Sequence, residues 1–81
     1  MDRKRFGSKQ MCEIVAAKGR RMMVSYQTPV VIVDSDNYFI TEEWFSSTTT
    51  KHINYYLRLE QAIKIHKVDP RIFKKMISGE I

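Results

Sequence analysis

The chain is short of the residues that staple, punctuate or span. Its one cysteine, Cys12, leaves no intramolecular disulfide. A small secreted domain usually carries several bridges, so a reducing, cytoplasmic setting is expected. Three glycines, Gly7, Gly19 and Gly79, stand far apart and make no Gly-rich phosphate loop. No apolar run approaches the roughly 18 residues that a membrane helix needs, so no membrane association is expected. The opening Met1-Asp2-Arg3-Lys4-Arg5 leads into no apolar stretch of the signal-peptide kind. Cys12, His52 and His66 show neither CxxC nor HxxxH spacing. Neither a structural zinc site nor another cofactor is expected from such a set.

A local absence shapes the charge pattern. Residues 22–50 contain no lysine or arginine and four acids, Asp34, Asp36, Glu42 and Glu43. Residues 1–21 hold seven bases against two acids, and residues 51–81 hold seven against three. The net charge of +5 is therefore carried by two basic segments around an acidic one. Basic segments that share a face favour polyanions.

What is present in 81 residues is enough for one marginally stable domain. Residues 1–9 are polar and basic and read as a flexible arm, with residues 10–81 a single α+β domain. Residues 10–18 admit two readings. As a helix, Ser8 caps Met11, Ile14, Val15 and Lys18 on one face. As a strand, Cys12, Ile14 and Ala16 share a face, and Lys18-Gly19-Arg20 turns the chain. We read the strand. Residues 21–28 alternate as a half-buried strand, Pro29 interrupts it, and Val30–Val33 resume as a β-branched run. Asp34-Ser35-Asp36-Asn37 is a turn into an aromatic-rich partner strand over residues 38–45. A helix is expected from about Thr49 to about His66, with Ile53, Tyr56, Leu57 and Ile63 inward and Leu59 beside them. Asp69-Pro70 opens a last short helix that Gly79 ends. The expected fold is an antiparallel meander of three or four strands packed on one main helix, with a short C-terminal helix.

No catalytic constellation emerges. Cys12 and His52 form a nominal nucleophile pair, but a lone cysteine in an apolar segment reads as packing. Glu42 and Glu43 point to opposite faces of a strand and do not act together. A non-enzymatic binding protein is expected. Lys51, Asn54, Arg58 and Gln61 recur at helical spacing on the polar side of the main helix, a set suited to phosphates and base edges. Thr49, Lys51 and His52 stand in the first turn of that helix, where free N–H groups favour anions. Arg3, Lys4 and Arg5 in the arm, and Arg20 and Arg21, add charge. These ten residues (Arg3, Lys4, Arg5, Arg20, Arg21, Thr49, Lys51, His52, Asn54 and Arg58) are the candidate nucleic-acid contacts. The alternative is an effector that binds a host protein through the aromatic hairpin or its acidic strand, with Trp44 exposed.

Two segments carry a resemblance. Ser25-Tyr26-Gln27-Thr28-Pro29-Val30 and, after a turn and Phe39-Ile40-Thr41, Ser47-Thr48-Thr49-Thr50-Lys51-His52-Ile53-Asn54 resemble a family of small bacteriophage-encoded proteins of unknown function. That family has an S-Y-x-T-P-V strand followed by a T-T-S-K-H-x-N helix start. Thr50 stands where serine is usual. The resemblance spans about residues 22–57 and implies a phage or prophage origin, with residence in the host cytoplasm. It implies no activity. It also marks Tyr26, Thr28, Thr48, Thr49, Lys51, His52 and Asn54 as one expected surface, if the Thr-Pro kink and the helix start are neighbours.

Overall fold

A computed structural model describes residues 4–6, 8–43 and 45–81, with side chains from residue 11 onward apart from residue 44. One six-stranded sheet runs in the order β1-β2-β3-β4-β5-β6. Its strands are β1 (Lys4–Phe6), β2 (Ser8–Val15), β3 (Arg21–Ser25), β4 (Thr28–Asp34), β5 (Asn37–Thr41) and β6 (Lys64–Val68). Helix α1 (Ser47–Leu59) links β5 to β6, and α2 (Pro70–Ser78) ends the chain. Neighbouring strands are antiparallel up to β5, and β6 pairs parallel with β5. The class is α+β as expected, but the sheet is larger than a three- or four-stranded meander and is mixed.

Three differences account for the enlargement. The segment read as a flexible arm supplies β1 and the start of β2. The stretch read as one strand over residues 21–28 reverses at Tyr26-Gln27. Both residues adopt left-handed backbone, at φ 50 and φ 69. Two successive left-handed residues suit the twist of a tight hairpin. The usual Asn-Gly signal is missing, so the turn does not announce itself. Pro29 then pairs with Val24 while Val31 pairs with Met23, which leaves Val30 as the extra residue of a bulge. A bulge is where a sheet tolerates a residue with no N–H to donate.

The third difference is β6. The helix expected to run to about His66 stops at Leu59. Gln61 turns left-handed at φ 54. The Gln61 N–H bonds to the Arg58 carbonyl at 3.1 Å and the Ala62 N–H to the Leu57 carbonyl at 2.9 Å. That pair of bonds is a Schellman motif, usually built on glycine. Lys64–Val68 is thereby released to pair with β5, as a parallel partner joined through a helical crossover can. Ile63, expected inside, is 90% exposed. The aromatic partner strand is also shorter than expected, ending at Thr41.

The sheet is covered on both faces, because alternate residues of its central strands point opposite ways. Met11, Met23, Val31, Val33 and Tyr38 pack with Tyr56 of α1, flanked by Ile53 and Leu57. Ile32 packs with Phe73 and Met76 of α2, flanked by Phe39, Val68 and Ile77. Covering on both faces explains why Val30–Val33 read as a continuous apolar run. Helix α2 agrees with its sequence signals. Asp69 accepts from the Arg71 N–H, Pro70 opens the helix and Gly79 closes it at φ 84.

Candidate nucleic-acid interface

The two segments that carry the resemblance meet in space. Ser25 ends β3 on the α1 side of the sheet. Its hydroxyl lies 2.7 Å from Nδ1 of His52 and 3.4 Å from the Thr49 hydroxyl. The Tyr26 ring sits beside the His52 imidazole, centroids 5.6 Å apart. Below them, Ser46 caps α1 by accepting from the Thr49 N–H at 3.2 Å, as serine commonly does at a helix start. The β3–β4 turn is thus clamped to the first turns of α1. Ser25 is 1% exposed, so its hydroxyl is closed to a substrate. The contact has the form of a structural clasp. Cys12 lies on the strand next to Met11, whose side chain faces α1, and so points to the other face, away from His52.

Above the clasp is an open surface. Lys51, Asn54, Tyr55 and Arg58 are exposed along the outward side of α1. Thr49 and Tyr56 are buried beneath them. The thirteen residues of α1, STTTKHINYYLRL, contain no acid. Tyr55 is outside the ten candidate contacts, although its spacing from Lys51 and Arg58 places it on their stripe. Tyr26 and Thr48 are exposed as well.

Other candidates lie elsewhere. Arg3 falls outside the described residues. Lys4 and Arg5 lie on the edge strand β1, and their side chains are outside the described residues too. Arg20 is drawn in toward α2. Its guanidinium bonds Asp34 at 3.1 Å, the Met76 carbonyl at 3.2 Å and the Ile81 carbonyl at 2.6 Å. Arg21 turns to the α1 side, pairing with Glu13 at 3.1 Å and Glu60 at 2.9 Å. Burial works against its charge, but Tyr56, Glu60 and Glu13 together hold its pKa above the ordinary value. The same carboxylates accept from tyrosines: Tyr56 donates to Glu13 at 2.7 Å and Tyr38 to Glu60 at 3.3 Å. Burial and these carboxylates push both phenols up. Arg20 and Arg21 therefore serve as internal ties between elements. Sequence reading missed Glu13 and Glu60 because nothing local marks a partner on a distant element.

The bases of the second basic segment divide between two faces, with Lys51 and Arg58 exposed on α1. Arg71, Lys74 and Lys75 are exposed on α2, across the sheet from α1. In the hairpin expected as an alternative protein interface Tyr38 is 7% exposed and Phe39 half-buried, while the acids Asp36, Glu42 and Glu43 are exposed. Trp44 lies outside the described residues. Among the described residues, no group of three His, Cys, Asp or Glu is placed to hold a metal. Among the described residues, no helix is long and apolar enough to cross a membrane.

No curated protein and no solved structure matches the chain. Residues 1–74 match DUF8033, a family of unknown function, and the chain belongs to that family.

Proposed function

We propose that this protein is a non-enzymatic nucleic-acid binder of phage origin that lays the outward side of α1 along a phosphate backbone. The observation that carries the reading is the acid-free stripe of Lys51, Asn54, Tyr55 and Arg58. Lys51 and Arg58 supply charge for phosphates. Asn54 is an amide of the type that pairs with base edges, and Tyr55 offers a ring on which an unpaired base stacks. The clasp from Ser25 to His52 and Thr49 fixes the start of the helix against the sheet, so the stripe is presented on a rigid element. Arg20 and Arg21 support the fold in this reading and do not contact the ligand.

Fluorescence anisotropy with labelled single-stranded and duplex oligonucleotides across a salt series tests it. Binding that weakens steeply with salt is expected, because displaced counterions return as phosphate contacts break. An absence of binding to either form at low salt would refute it.

A second reading, an effector that binds a host protein, draws on a different observation. Ile63, just before β6, is 90% exposed, and Ile65, on the strand, is 42% exposed. Exposed apolar side chains that lie close together mark protein interfaces.

A further inference from the structure

We infer that the free edge of β6 is a docking strand for an acidic, extended segment of a partner protein. This rests on a surface separate from the α1 stripe.

Among the described residues the strand is last in the sheet, with β5 on one side only. On its other side the outward-facing backbone groups are those of Ile65 and Lys67; the Ile65 N–H already donates to the Ile63 carbonyl at 3.1 Å, which leaves the Lys67 N–H and the two carbonyls to extend the ladder. Four of its five residues are exposed. Ile65 on the strand is 42% exposed, and Ile63 just before it is 90% exposed. An open edge with apolar side chains beside it is the geometry used for strand addition, in which the backbone supplies affinity and alternate side chains supply selectivity.

The charge on this strand selects the occupant. Lys64-Ile65-His66-Lys67-Val68 contains two lysines, one histidine and no acid. A second copy of the same edge is disfavoured. Antiparallel self-pairing centred on His66 would set His66 against His66, Lys64 against Val68 and Lys67 against Ile65, with the two Lys67 side chains as diagonal neighbours on one face. Like charges across strands are destabilising. Lysine on an edge strand is a recognised guard against such self-association. Lys64 with His66 on one face of the strand, and Lys67 on the other, offer a docked strand a cation for carboxylates on either face. Lys67 forms no ion pair with a described residue. Lys64 pairs with Asp36 at 3.1 Å, with both side chains more than half exposed, a contact weak enough to be exchanged for a better-placed acid. A nucleic acid suits this edge poorly. It has no alternating N–H and C=O to complete the ladder, and Ile63 and Ile65 would lie against its phosphates.

The test uses the full chain and a fluorescein-labelled synthetic peptide in which glutamate alternates with valine. The counterpart alternating lysine with valine and a thymidine oligonucleotide are run beside it. The glutamate peptide is expected to bind and to slow hydrogen exchange in Lys64–Val68, at the outward-facing amide of Lys67 above all. The lysine peptide is expected to do neither. Lys64→Glu/Lys67→Glu is expected to weaken the glutamate peptide by at least about tenfold. Lys51→Glu/Arg58→Glu on α1 is expected to leave it within about twofold, as exposed charges off the docking edge contribute little. The inference is overturned if exchange across Lys64–Val68 is unchanged by the peptide, or if the lysine peptide binds equally. It is also overturned if the α1 variant loses as much as the β6 variant, or if the oligonucleotide protects the same amides. The exchange measurement on the unmodified chain decides the matter even where the double variant folds poorly.

Discussion

Tyr56 shows how a single residue holds several elements. It is fully buried, yet its hydroxyl reaches Glu13 on β2, and Glu13 in turn accepts from Arg21 on β3. Tyr56→Phe keeps the ring in the core and removes one donor from Glu13. A loss of about 1 kcal/mol in urea unfolding is expected, since Arg21 still satisfies the carboxylate. The pH dependence has a definite sign. The folded-state pKa of Tyr56 lies above its unfolded value, because burial and then Glu13 disfavour the phenolate. Its contribution is therefore fully present below the unfolded pKa of about 10 and falls as pH rises above that. Unfolding midpoints measured at rising alkaline pH should decline, and more gently in Tyr56→Phe. Tyr38, shifted in the same direction, keeps the variant from becoming flat. At the clasp, Ser25→Ala takes away the hydroxyl that His52 and Thr49 share. A loss of about 1–2 kcal/mol is expected from leaving buried polar groups without a partner. The sequence showed Tyr56 as a core position through its helical spacing. It did not show Ser25, because a serine in an alternating strand reads as solvent-facing until the helix above it is known.

At the scale of elements, legibility followed the chemistry of the ends. Helix α2 was readable because Asp69, Pro70 and Gly79 each have one strong positional preference. The end of α1 was not, because Gln61 takes a left-handed position that glycine usually fills. The β3–β4 turn was missed for the same reason, with Tyr26 and Gln27 in place of Asn-Gly. Both turns invite one experiment. Gln27→Gly and Gln61→Gly remove a left-handed side chain without touching the neighbouring contacts, and each is expected to raise stability by about 0.5–1 kcal/mol in urea titration. Gly79→Ala is expected to do the opposite, losing more than about 1 kcal/mol. Its φ is 84, and an added Cβ would come within 2.9 Å of the Ala17 Cβ. Reversed signs would mean that the turns are set by contacts other than those described.

For the whole molecule, charge is partitioned by the sheet. The acid-free stripe of α1 lies on one face, and Arg71, Lys74 and Lys75 lie with α2 on the other. The sequence held this alternation of basic, acidic and basic segments, but which bases share a surface depends on strand β6, which no local signal revealed. Net charge alone therefore cannot assign the interface. The most direct test compares the salt dependence of oligonucleotide binding for the native chain, Lys51→Ala/Arg58→Ala and Lys74→Ala/Lys75→Ala. If α1 is the contact surface, the first variant binds more weakly and its log–log salt slope is shallower by about 2, one unit per lost phosphate contact, while the second keeps the native slope. An unchanged slope on removing Lys51 and Arg58, or an equal loss from the α2 pair, would contradict the assignment of nucleic-acid binding to α1.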